Sequence, residues 1–99
     1  MFAGVYDPGQ APSNGSAAVE TSSGSITAPA DGSVHDLFVD VAGDTVRFAT
    51  ATSGAGGMRV DAGQFGVFVG RFLGNGGALS MRSDTTSATV KYTWRRVVT

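Results

Sequence analysis

The chain is expected to fold as an all-β protein, an antiparallel β-sandwich or barrel carrying an extended N-terminal arm. Three observations point there. From Ser87 to Val97 every second residue up to Trp94 is apolar or aromatic, with Ala88, Val90, Tyr92 and Trp94 on one face and Thr89, Lys91, Thr93 and Arg95 on the other. Shorter runs of similar character recur between turn signals, at a spacing of about 8–12 residues. Gly supplies 15 of 99 residues, about twice its usual share, and Ser, Thr and Ala fill much of the rest, which suits short strands and tight turns better than long helices.

Taken in order, Met1 to about Gly24 reads as an arm. Pro8, Gly9, Pro12, Asn14, Gly15 and Gly24 punctuate it, and serines lie between them. Its tip carries Phe2, Val5 and Tyr6, three large apolar residues that point to docking on another surface. The domain proper is expected over 25–99. Ser25 to Ala28 is a short strand, closed by the turn Pro29-Ala30-Asp31-Gly32. Val34 to Val41 follows, with Leu37, Val39 and Val41 on one face and Phe38 on the other. After Ala42-Gly43-Asp44, Thr45 to Ala51 alternates with Val46 and Phe48 inward. A loop from Thr52 to Gly57 leads to the brief strand Met58-Arg59-Val60. Phe65 to Leu73 is the most apolar run; it contains two glycines and reads as an interior strand with a bend or bulge. Asn75-Gly76 is a tight-hairpin signal. Ala78 to Ser83 places Leu79 and Met81 on one face, and Asp84-Thr85-Thr86 turns into the aromatic strand.

Length and composition bound the function. Ninety-nine residues make one domain with a limited core, so help from a partner or from self-association is expected. There is no Cys, which removes disulfides, thiol chemistry and cysteine-ligated zinc. The first eight residues lack the basic and apolar regions of a signal peptide, and no run approaches the about 18 apolar residues of a membrane span. Charge is segregated: Met1 to Thr45 holds six acids and no Lys or Arg, net −6, whereas Val46 to Thr99 holds seven Lys or Arg and two acids, net +5. Either early strands pair with late ones inside the domain, or an acidic face of one copy meets a basic face of the next. Neither half is basic enough to point to nucleic acid.

No residue set carries recognisable chemistry. His35 is the single histidine and is expected at an exposed strand edge, with Ser33 and Asp36 aimed away from any shared substrate. Asp36, Asp40 and Asp44 lie four residues apart without the convergence that paired-carboxylate catalysis needs. The glycine-rich stretch Gly74-Asn75-Gly76-Gly77 precedes no helix and matches neither nucleotide fingerprint. No catalytic, cofactor-binding or metal-binding residue is assigned.

Several stretches together resemble a family of small all-β structural virion proteins of tailed bacteriophages, the capsid cement or decoration proteins. They are the turn Pro29-Ala30-Asp31-Gly32-Ser33, the strand Thr45-Val46-Arg47-Phe48-Ala49-Thr50, the step Met58-Arg59-Val60-Asp61-Ala62-Gly63-Gln64 and the strand Ala88-Thr89-Val90-Lys91-Tyr92-Thr93-Trp94. The step carries Val60-Asp61 where relatives often have Leu-Pro. The resemblance is one of layout over about Ser25 to Arg95. It implies a jelly-roll-like sandwich that binds the major capsid protein or other virion proteins, assembles in the bacterial cytoplasm, resides on the capsid surface and catalyses nothing. A carbohydrate- or receptor-binding module, or a neck or tail component, is the alternative; burial of Trp94 favours cement and exposure favours sugar binding. A homo-oligomer is expected, a trimer around a capsid symmetry axis, matching Asp36, Asp40 or Asp44 of one copy against Arg59, Arg71 or Arg82 of another.

Overall fold

The strand that holds the aromatic residues also holds the fold. In the computed structural model, residues 13–49 and 58–97 are described in full, together with the backbone course of 5, 6 and 98. Nine strands follow in chain order: β1 (Val5–Tyr6), β2 (Ser13–Val19), β3 (Ser25–Thr27), β4 (Val34–Ala42), β5 (Val46–Phe48), β6 (Met58–Val60), β7 (Val67–Leu73), β8 (Ala78–Ser83) and β9 (Ala88–Val98). No helix occurs among the described residues. Phe2, Thr50, Ala51 and the expected loop from Thr52 to Gly57 lie outside them.

The strands form two antiparallel sheets. In the first, β9 is central: β4 lies on one side of it, with β7 beyond, while β2 and β1 share its other side. The second runs β3-β8-β5-β6. The pairing is nested, since β2 pairs with β9, β3 with β8, β4 with β7 and β5 with β6. The one acidic early strand among the described residues, β4 with Asp36 and Asp40, pairs with β7 and β9, which carry Arg71, Lys91, Arg95 and Arg96.

One core joins the sheets. From the first come Val19, Leu37, Val39, Val41, Val69, Ala88, Val90 and Trp94, and from the second Ile26, Val46, Phe48, Val60, Leu79 and Met81. These are the alternating apolar positions of each strand, which a pleated backbone turns to one side. Phe48 and Leu37 are fully buried and Trp94 is 2% exposed.

Four expectations are corrected. The segment read as an arm contains β2, which pairs residue for residue with β9 from Ser13↔Trp94 to Val19↔Ala88. Small polar residues order here because a long, already paired strand offers them backbone partners; Gly15 lies opposite Tyr92, so close that an added Cβ would strike the ring, with Tyr92 Cε1 at 2.9 Å. β1 likewise pairs with the far end of β9. β7 is an edge strand, not an interior one, although the bulge is present opposite Leu37 and Phe38. Asn75-Gly76 closes no hairpin: β7 and β8 belong to different sheets, and the turn, with Gly76 at φ 76°, carries the chain across. His35 is 5% exposed, because it lies on the inward face of β4 with Leu37, Val39 and Val41, against Trp94, with Asp31 bonded to its Nε2.

Candidate functional site

The outer face of the first sheet is the most distinctive surface. Its side chains are placed by strand register. One row sets Arg71 of β7, Asp36 of β4 and Arg95 of β9 side by side. The next sets Phe68, Phe38, Thr93 and Asn14. The third sets Asp40, Lys91 and Ser16. Phe38 and Phe68 form a tilted pair with ring centroids 5.6 Å apart. Phe68 is 48% exposed and Phe65, just before β7, is 73% exposed. The backbone next to Phe65 is tied to this face, because the Gly66 amide donates to the Asp40 carboxylate at 2.7 Å.

Asp36 is fully buried although its strand position points it outward. Arg71 covers it with a bidentate contact, Nε to Oδ1 at 2.7 Å and Nη2 to Oδ2 at 3.1 Å, and keeps its own side chain 39% exposed. Asp36 and Arg71, expected to face each other between copies, are thus brought together within one chain. The Asp36 carboxylate is buried beneath that contact.

The other acids proposed for the interface are engaged too. Asp44 accepts from the Thr85 amide at 2.6 Å and the Thr86 amide at 3.0 Å. Hydrogen bonds from Thr85 and then Thr86 hold its carboxyl down to about 2. Asp40 holds Gly66. Of the bases, Arg59 and Arg82 lie with Arg47 in one row across β6, β5 and β8 on the second sheet, while Arg71 is on the first. Arg47 bonds Asp84 at 2.9 Å, which raises the guanidinium pKa, and Arg59 bonds Asp61 at 2.9 Å. The acids and bases expected to meet across copies are therefore dispersed over two sheets. Val5 and Tyr6 of the expected docking tip lie in β1 against β9, and Phe2 lies outside the described residues.

His35 is the remaining titratable group of interest. Its Nε2 lies 3.0 Å from both carboxylate oxygens of Asp31. A carboxylate only accepts, so Nε2 carries the hydrogen and donates it. This bond, with the Ser33 amide, lowers the Asp31 pKa. Nδ1 is buried without a hydrogen-bond partner among the described residues, so no hydroxyl is bonded to it as a nucleophile would be. The ring stands edge-on to Trp94 at 6.4 Å, and Phe72 meets Trp94 at 5.7 Å. A cleft of about 230 Å³ adjoins this cluster, lined by Phe72, Leu73, Leu79 and Trp94 among others. The partners on the outer face and in the histidine cluster were missed from sequence because each depends on cross-strand neighbours; Phe38 facing away from Leu37 and Val39, and His35 alternating in step with them, were the available signals.

No family model, no curated protein and no solved structure matches the chain.

Proposed function

We propose that this chain is a non-enzymatic structural protein of a tailed-phage virion, a cement or decoration protein that binds the assembled capsid and stabilises it. The observation that carries the proposal is the nested strand order. Numbering β2 to β9 as first to eighth, one sheet reads first, eighth, third, sixth and the other second, seventh, fourth, fifth. That order supports a jelly-roll reading, because wrapping one long antiparallel ribbon produces it, and the jelly roll recurs in viral capsid and lectin domains. Fold alone is analogy, and the side chains weigh between these two. Trp94 is buried and Tyr92 shares its face, so neither offers the exposed aromatic platform of a sugar-binding module. Among the described residues the most exposed aromatics are Phe65, just before β7, and Phe68, on β7 beside the charged rows, a composition suited to protein contact. Self-association as a trimer about a capsid axis belongs to the same proposal. Apolar contact would carry it, because Asp36, Asp40 and Asp44 are engaged within the chain.

Binding to shells tests the proposal. Purified chain is mixed with assembled capsids that lack it and, separately, with unassembled major capsid protein. Saturable binding to shells alone, with a rise in their melting temperature, is expected, because a ligand of the assembled state stabilises only that state. Equal binding to free subunits, or binding to glycans and not to shells, overturns the proposal.

A further inference from the structure

Both asparagines of the chain precede a glycine, as Asn14-Gly15 and Asn75-Gly76. We propose that Asn75 is a site of spontaneous deamidation and that the fold selects it over Asn14. Water and its hydroxide are the only co-reactants. This chemistry is independent of the structural role proposed above.

The step is an attack of the Gly76 main-chain nitrogen on the side-chain carbonyl carbon of Asn75. Hydroxide removes the N–H proton, the N–Cγ bond forms, and Oδ1 takes up the negative charge of a tetrahedral carbon. The bond from Cγ to the side-chain nitrogen then breaks. That nitrogen takes a proton from water and leaves as ammonia, which closes a succinimide ring. Water opens the ring at either carbonyl. One opening leaves aspartate; the other leaves isoaspartate, in which the main chain runs through Cβ and Cγ. The net change is one water gained and one ammonia lost. Glycine suits the second position because it sets no Cβ beside the attacking nitrogen.

The turn after β7 favours this step. The Gly77 amide donates to Asn75 Oδ1 at 2.9 Å, so the side chain is already curled back over the main chain. The oxygen that becomes negative thus has a donor in place, and a donor aimed at a developing oxyanion lowers the barrier. Glycine at position 77 permits the approach, since a Cβ there would stand 2.9 Å from the same oxygen. Asn75 and Gly76 are both exposed, so hydroxide and water reach them. The Gly76 amide donates to the Pro29 carbonyl at 3.1 Å, and that bond must break first. It lies in an exposed turn between the sheets, where local opening costs less than within a paired strand.

Asn14 is exposed as well, but it sits inside β2, paired with Thr93, and Gly15 is paired with Tyr92. Closing the ring there bends an extended main chain out of its ladder with β9. Tyr92 stands in the way: a Cβ on Gly15 would lie 2.9 Å from its Cε1. Conversion at Asn75 has two consequences for the fold. It adds a negative charge to a turn bonded to the Asp31 turn, through the Gly32 amide to the Gly74 carbonyl at 2.8 Å and the Gly74 amide to the Ser33 carbonyl at 2.7 Å. The isoaspartate form also lengthens the connection between β7 and β8 by one main-chain carbon.

The intact chain is kept in mildly alkaline buffer, sampled over days and digested. Each Asn-Gly peptide is followed by mass spectrometry for replacement of amide by acid, and isoaspartate methyltransferase labels the isoaspartate product. In the folded chain Asn75 should convert at least about tenfold faster than Asn14. In urea, where neither pair is held, the two rates should become similar. Gly77→Ala should slow Asn75 several-fold in the folded chain and leave its rate in urea unchanged. Equal rates at the two sites in the folded chain, or faster conversion of Asn14, would overturn the proposal. A folded chain in which neither site converts while both react in urea would overturn it too, as would a folded Gly77→Ala chain that converts at the unsubstituted rate.

Discussion

Asp44 shows how one side chain holds two distant turns together. It lies between β4 and β5, yet accepts the amides of Thr85 and Thr86 before β9. Its carboxyl titrates at about 2 in the folded chain against an ordinary 3.8, so the unfolded state binds the proton first as pH falls. The stabilisation it gives is present above about pH 4 and is lost as pH drops towards 2. Asp44→Asn should therefore lower stability at neutral pH and flatten the acid limb of the stability curve between those values, measured by urea unfolding at each pH. Trp94, 2% exposed and packed edge-on against Phe72 and His35, is the core counterpart. Trp94→Ala should cost about 3–5 kcal/mol, and an unchanged urea midpoint would remove the residue from the core. Trp94 was legible in the sequence, because strand alternation alone puts it with Val90 and Tyr92. His35 obeys the same alternation, two residues before Leu37 on the face it shares with Val39 and Val41, although its polarity suggested an exposed edge. Asp36 was not legible: its place opposite Arg71 follows from register between strands more than thirty residues apart in sequence.

At the scale of elements, β2 carries the sharpest difference between sequence and structure. Ser13 to Val19 has only Val19 as a large apolar residue, and no local signal marks a strand. Its order comes from β9, whose eleven residues accept β4 on one side and β2 with β1 on the other. Amides of β2 that face β9 should be protected from hydrogen exchange in the isolated protein; exchange at random-coil rates without a partner would show instead a segment that orders only on binding. Gly15 is the position where β2 and Tyr92 approach most closely, so Gly15→Val should force the ring aside at a cost of about 1–3 kcal/mol, read from thermal unfolding. The strands after Ser25 were legible because each alternates about buried residues, as in β5 with Val46 and Phe48 or β8 with Leu79, Met81 and Ser83. The edge position of β7 was hidden by its composition. An apolar run looks interior, but here Phe68 turns outward onto Phe38 while Val69 turns into the core.

For the whole molecule, Asp36–Arg71 joins an early acid to a late base inside the chain, and register sets Asp40 beside Lys91, whereas Arg47–Asp84 and Arg59–Asp61 close within the second half. The cross-half charges are part of the register of the first sheet, where opposite charges across strands contribute modestly. Association of copies should then depend weakly on ionic strength. Sedimentation at tens of micromolar should give the same trimer at low and high salt; a trimer that dissociates as salt rises would restore a charge-matched contact.

The structural role itself is tested most directly by electron cryo-microscopy of intact particles from the genome that encodes the chain. The expected density is a two-sheet domain at regular, symmetry-related positions on the outside of the shell. Particles that lack the chain, or that carry it at the tail tip, would contradict it.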